Sequence, residues 1–236
     1  MPDQEPFGAP PVAPGEPHLA CVLLLDTSGS MGGIPIDNLN KALVEFKDKL
    51  SMDEMAQKRV EIAIVEFNSN ASVVQDFVPL INMQPVTLTA RGTTAMGAGV
   101  NMAIDMAKGR TRYYHQLGTP VYKPWIFMIT DGAPIDSIEE AARKIQEEER
   151  KGTHGKLKFF ALGVGEYDKD TLFRFFEGVD KRQKRVMELT DMDFSTIFDW
   201  MSESMSAISV SRVGEDVKVA KLPGNAHVVK EDTDDW

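Results

Sequence analysis

Hydrophobic and polar positions along this chain fall into two alternating patterns. Short apolar runs of strand length cover residues 21–25, 60–67, 125–130, 158–164 and 185–189, and several end on a carboxylate, hydroxyl or glycine. Continuous apolar runs predict strands buried on both faces, as in a parallel sheet. Between them lie stripes with helical spacing. Leu39, Ala42, Leu43, Phe46 and Leu50 form one helical face, and Val100, Ile104 and Ala107 predict a second helix starting near Gly97. Ile138, Ala141, Ala142 and Ile145 make a third, with Ser137 and Glu140 at capping-box spacing. Residues 172–176 belong to a short helix, and Phe194, Ile197, Phe198, Met201, Met205 and Ile208 mark a last one. One exception stands early: residues 60–67 and 71–78 are joined only by Asn68, Ser69 and Asn70. So short a link predicts an antiparallel pair with the second strand at an edge.

Strands alternating with helices give an α/β class: a doubly wound, mostly parallel central sheet with helices on both faces and one antiparallel edge strand. The 236 residues suffice for one such domain with a full core. Residues 1–17 carry six prolines and no periodicity, which predicts a flexible arm. The domain is expected over residues 18–211. The remainder, 212–236, is read as a partly disordered extension, with valine alternation at Val213, Val217 and Val219 hinting at an extra strand.

Connections carry the less regular chemistry. Residues 110–124, with Arg110, Arg112, Tyr113, Tyr114, His115, Tyr122 and Lys123, are read as a long basic-aromatic link able to touch a partner. The charged run 147–151 is read as a solvated helix face, and the basic run 181–185 as a solvated loop or a phosphate contact. A net charge of -10 argues against nonspecific nucleic-acid binding. The single cysteine, Cys21, sits inside the first strand as a core residue and leaves no internal disulfide. With no signal peptide or membrane span visible, the expected location is cytoplasmic.

The chemistry concentrates where the first strand ends. After Leu25 the chain runs Asp26, Thr27, Ser28, Gly29, Ser30. Open α/β sheets place ligands at the carboxyl ends of their strands. In extended chain Asp26, Ser28 and Ser30 share one side. One carboxylate with two hydroxyls is an all-oxygen set suited to a hard cation. An Asx or Ser/Thr turn would account for the tetrapeptide alone. It would not account for Asp131 at the end of a second apolar strand, nor for the loop 91–97 with Thr94. The third position is Ser28, where haloacid-dehalogenase phosphotransferases carry Asp. Aspartic proteases would show the motif twice on a β-rich chain.

Asp-x-Ser-x-Ser at residues 26–30, Arg-Gly-Thr-Thr-Ala-Met-Gly at 91–97 and the strand ending on Asp131 together resemble the metal-ion-dependent adhesion site (MIDAS) of von Willebrand factor A domains. The likeness extends to Leu-Leu-Leu-Asp-Thr-Ser-Gly-Ser-Met (23–31), Lys-Pro-Trp-Ile-Phe-Met-Ile-Thr-Asp-Gly-Ala-Pro-Ile-Asp (123–136), Phe-Phe-Ala-Leu-Gly-Val-Gly (159–165) and Phe-Asp-Trp-Met-Ser-Glu-Ser-Met-Ser (198–206). In these segments the chain resembles the bacterial tellurium-resistance TerY-type proteins over residues 19–214. That resemblance implies a non-enzymatic scaffold in tellurite or stress resistance, or in modules pairing a serine/threonine kinase with a PP2C-type phosphatase. It implies a divalent cation, Mg2+ first with Mn2+ or Ca2+ as alternatives, held by Asp26, Ser28, Ser30, Thr94 and Asp131. A partner protein's Asp or Glu completes the coordination. Asp136 is read as helping to start the helix that follows it.

Two alternatives stay open: a metal-dependent phosphoester hydrolase, and a scaffold that binds without metal. Hydrolysis calls for a general base over a bound water. The four histidines, His18, His115, His154 and His227, lie outside the motif loops. Neither a Gly-x-x-x-x-Gly-Lys phosphate loop nor a Gly-x-Ser-x-Gly turn is present.

Overall fold

The computed structural model describes residues 11, 13, 15–151, 156–180, 185–215, 217 and 219–230. The basic run 181–184, His154, most of the proline-rich arm and the acidic end 231–236 lie outside the described residues. Strands β1 (Leu19–Asp26), β2 (Val60–Phe67), β3 (Ala71–Pro79), β4 (Trp125–Thr130), β5 (Lys158–Val164), β6 (Val186–Leu189) and β7 (Ala226–Val228) form one seven-stranded sheet in the order β3-β2-β1-β4-β5-β6-β7. Pairings from β2 through β6 are parallel, and β3 runs antiparallel to β2 at one edge, as its short turn predicts. The other edge holds a second antiparallel strand, because β7 pairs with β6. An extra strand thus forms at 226–228, while the described residues of 213–219 form none. Of the alternating valines, Val217 packs with Ala220 and Leu222 as partly buried cover on the core.

Both faces of the sheet are covered, which is why the central strands carry no polar alternation. In β1, Leu19, Cys21, Leu23 and Leu25 point to the core beneath α1 (Ile34–Leu50) and α6 (Phe194–Ser209). Ala20, Val22 and Leu24 point to the opposite core, beneath α3 (Met96–Gln116), α4 (Glu139–Arg150) and α5 (Lys169–Arg174). A short helix not evident in the hydrophobic pattern, α2 (Glu54–Arg59), leads into β2 and is capped by Asp53.

Helix α3 corrects the reading of residues 110–124. It continues to Gln116, so Arg110 and Tyr114 are helical and fully buried. Arg110 forms an ion pair with Glu61 of β2 at 2.6 Å, and the Tyr114 hydroxyl donates to the same carboxylate. Burial, then the neighbouring Glu61 charge, push the Tyr114 phenol well above its usual pKa, so it serves as a donor. The run 147–151 is likewise only partly solvated. Glu148 and Glu149 are buried, accept the Lys156 and Phe159 amides at 2.6 and 3.0 Å, and pair with Lys108 and Arg185.

Candidate metal centre

At the carboxyl edge of the sheet, Asp26 closes β1 and is fully buried. Its Oδ1 accepts the Ser28 amide at 2.8 Å and its Oδ2 accepts the Thr130 hydroxyl at 2.6 Å. The chain does not stay extended past Ser28. It enters a 3-10 turn over Gly29–Met31. Extended chain would hold alternate side chains about 6.6 Å apart, at 3.3 Å per residue. The turn instead brings Ser28 Oγ and Ser30 Oγ to 3.0 Å. Gly33, at φ 78, then permits the reversal into α1.

Asp131 follows β4 directly and is half-buried. Its Oδ1 accepts the Ser30 hydroxyl at 2.8 Å. Asp26, Ser28, Ser30 and Asp131 are therefore joined in one run of contacts. Thr94, buried, comes from the third loop, where a side chain on Gly132 would touch Thr94 Oγ1 at 3.5 Å and Ser30 Oγ at 3.9 Å. All five predicted residues converge at one rim, with Ser30 exposed.

Backbone hydrogen bonds hold the three loops together. Arg91 donates its amide to the Thr27 carbonyl at 2.8 Å, Gly29 to Gly92 at 3.1 Å, and Ile135 to Thr94 at 2.9 Å. Behind them, Thr27 accepts from Asn68 at 2.9 Å and reaches Glu66 at 3.3 Å, while Arg91 pairs with Glu66 at 2.7 Å. Thr130, Asn68 and Glu66 carry no role at the site in the sequence reading. Thr130 had a signal: β1 and β4 pair in parallel with Leu25 opposite Ile129, so the next residue on each strand meets at the edge. Asp136 departs from expectation. It accepts the Gly97 and Ala98 amides at 2.9 and 2.8 Å, capping α3 from across the site rather than starting α4. The capping box at residues 137–140 does not close either. Ser137 Oγ takes the Glu139 amide only at 3.4 Å, and Glu140 pairs with Lys144.

Burial raises the pKa of Asp26, and the Asp131 charge adds to it, against lowering hydrogen bonds from Thr130 and Ser28. Burial also raises that of Asp131, offset in part by Ser30 and Ser28. Among the described residues no cationic side chain pairs with either carboxylate, and a metal cation beside them would favour their charged form. Among the described residues, no three His, Cys, Asp or Glu side chains converge on one point. Neutral oxygens such as the three hydroxyls would therefore make up much of any cation's shell, and a two-carboxylate, three-hydroxyl set suits a hard ion. Among the described histidines, His18 stands beside Glu61, His115 in the last turn of α3 and His227 beside Glu188.

Comparison with known proteins follows the same lines. The model of the von Willebrand factor type A domain matches residues 21–200. No curated protein sequence is similar to the chain. Among solved structures, a von Willebrand factor type A protein from Catenulispora acidiphila superposes with a TM-score of 0.61 at 19% identity, covering 81% of this chain and 43% of its own. The PilB minor pilin from Streptococcus sanguinis gives 0.55 at 16%, covering 81% and 62%. The mussel byssus proximal thread matrix protein 1, in a form with a zinc-occupied MIDAS motif, gives 0.53 at 15%, covering 80% and 48%. The chain thus spans less than two thirds of each of these proteins, and at such identities the likeness is one of fold. The family match covers most of the chain and agrees with the sheet order, the two-sided helical cover and the loops at the carboxyl edge: the chain belongs to the von Willebrand factor type A domain family.

Proposed function

We propose that this chain is a non-enzymatic protein-interaction module whose binding depends on a divalent cation held by Asp26, Ser28, Ser30, Thr94 and Asp131. The observation that carries the reading is the run of contacts from Ser28 Oγ to Ser30 Oγ at 3.0 Å and on to Asp131 Oδ1 at 2.8 Å, ending at an exposed residue. Neutral hydroxyls outnumber carboxylates in this set. Such a shell leaves the ion electrophilic, and Mg2+ keeps about six oxygen ligands. A partner's Asp or Glu then supplies an oxygen from the open side. Interaction with protein partners is the general role of the family, and the zinc in the mussel protein's MIDAS supports a divalent ion.

Mg2+ is the proposed ion in the cell, with Mn2+ and Ca2+ as alternatives. Resemblance to the TerY-type proteins supports a role in tellurite or stress resistance, beside a serine/threonine kinase and a PP2C-type phosphatase, and the proposed location is cytoplasmic. Among the described residues no helix is long and apolar enough to cross a membrane. The proline-rich arm 1–17, the domain 18–211 and the extension 212–236 remain the proposed division. Calorimetric titration with Mg2+ tests the site: saturable binding that disappears in Ser28→Ala supports it. Unchanged affinity in that variant would move the ion elsewhere.

A further inference from the structure

Helix α3 spans 21 residues, about 30 Å at 1.5 Å per residue, and carries the chain from the metal centre to the opposite end of the sheet. There it borders a cleft of about 440 Å³ between the C-terminal ends of α3 and α4 and the link that enters β4. Lys108, Arg112, Lys123, Lys151 and Lys156 line it, and Glu148 is the one carboxylate among its lining residues. This is a local excess of positive charge on a chain whose net charge is -10. Burial would raise the Glu148 pKa, but hydrogen bonds from the Lys156 amide and the Lys108 ammonium outweigh it and hold it low. Glu148 thus stays charged and fixes Lys108 at 3.1 Å, with Lys151 at 3.6 Å. Among the described residues no carboxylate pairs with Arg112 or Lys156.

Two helix C-termini meet here, and basic residues in a last turn are ordinary complements to the helix dipole. That effect fades within one turn. It accounts for Lys151, but not for Lys108 two turns upstream, nor for Lys123 and Lys156, which lie outside both helices. The cations come from separate segments and face one concavity, which a solvated helix face does not require. Val121, Tyr122 and Pro124 give the cleft an apolar wall. We propose that this cleft is a binding site for a phosphomonoester dianion, with Arg112 and the lysines on the phosphate and the apolar wall against the carbon skeleton that bears it.

Size and charge select this ligand class. The cleft lies within the range of small-ligand sites. An extended polyanion such as nucleic acid would meet the repulsion of the acidic remainder, whereas a compact dianion meets only the local field. An arginine fork beside several ammonium groups is the usual chemistry for phosphate oxygens. The phosphate could be borne by a free metabolite or by a phosphorylated serine of a protein, and the same contacts serve either.

The test is calorimetric titration of the full chain in EDTA, so that the metal centre takes no part. The probes are O-phosphoserine, a phosphoserine heptapeptide, ribose 5-phosphate and a single-stranded oligonucleotide, at fixed ionic strength. Saturable one-site binding of a monoester is expected, weakened about tenfold or more by Arg112→Glu and by Lys156→Glu. Lys41→Glu, at an exposed lysine of α1, should leave it unchanged. Circular dichroism checks each fold, and Arg112→Gln with Lys156→Gln replaces any reversal that fails to fold. A preference for the phosphopeptide assigns the phosphate to a protein, and a preference for ribose 5-phosphate assigns it to a metabolite. No saturable binding, equal weakening by Lys41→Glu, or tighter binding of the oligonucleotide than of every monoester would overturn the proposal.

Discussion

Ser30 Oγ donates to Asp131 Oδ1 at 2.8 Å across a sequence separation of 101 residues. The contact joins the loops after β1 and β4, whose last residues are themselves tied through Thr130 Oγ1 and Asp26 Oδ2 at 2.6 Å. Thr130 thus orients a proposed ligand without being one. Thr130→Val keeps the shape and removes the donor, so Asp26 should be misaimed while the strand stays packed. Mg2+ affinity is expected to fall about 10–100-fold, the usual effect of losing a supporting partner. A calorimetric titration showing unchanged affinity would detach Thr130 from the site.

The same rim position makes metal and fold separable. Two apolar cores, one on each face of the sheet, are complete without any ion. A cation that binds only the native state stabilises it by about 2.7 kcal/mol at a hundredfold excess over Kd. At about 2–4 °C per kcal/mol for a chain of this size, EDTA should lower Tm modestly and leave unfolding cooperative. Scanning calorimetry with and without chelator decides this, and loss of the cooperative transition in EDTA would make the cation structural.

Gly97 opens α3 where Asp136 caps it. A helical Gly→Ala change ordinarily gains up to about 1 kcal/mol. Here the added Cβ would stand 2.1 Å from the Ser137 carbonyl oxygen, which is backbone and cannot swing away. Overpacking of this kind costs about 1–3 kcal/mol, so the clash should win and Gly97→Ala should destabilise. A urea midpoint above that of the parent chain would show that the 131–138 loop yields freely.

Arg110 and Glu61 form a buried pair at 2.6 Å, and their side chains are 0% and 2% exposed. Arg110→Met would strand the carboxylate, a loss of about 3–5 kcal/mol. Glu61→Gln with Arg110→Met removes both charges, and stability should return most of the way. A double-mutant cycle on the urea midpoints measures the coupling, and simple additivity would show that the two side chains act independently.

This pair also marks where the sequence is hard to read. The strands and the last helix are legible because every position of β1, β2 and β4 is buried and the six stripe residues of α6 all face the core. The site loops are legible because each follows an apolar run that stops on an oxygen. Helix α3 is cut short in such a reading because Arg110 and Tyr114 occupy stripe positions where apolar residues are expected. The clue is Glu61, a lone charge between Val60 and Ile62, which needs a counter-ion from another element. Asp136 is opaque for a related reason: a cap supplied by a distant loop leaves no local pattern. The basic residues of the 110–124 link, read as able to touch a partner, lie at the other end of α3 from the metal centre.

Partner binding gives the sharpest prediction. In the proposed complex a partner's Asp or Glu reaches the cation from the side on which Ser30 is exposed. Asp136, a further carboxylate in these loops, is occupied by the Gly97 and Ala98 amides at 2.9 and 2.8 Å. It is therefore engaged as a helix cap, and in the proposed complex the outer oxygen comes from another chain. Removing that partner carboxylate strands a partly desolvated ion, which should cost about 2 kcal/mol or more, the scale of a hot-spot residue. Ser28→Ala, by weakening the hold on the ion, should cost the complex a comparable amount. The two losses remove one and the same bond, so in a double-mutant cycle they should be strongly non-additive. Surface plasmon resonance with and without EDTA supplies the four affinities. Additive losses, or affinity indifferent to chelation, would move the partner's footprint away from Asp26, Ser28 and Asp131.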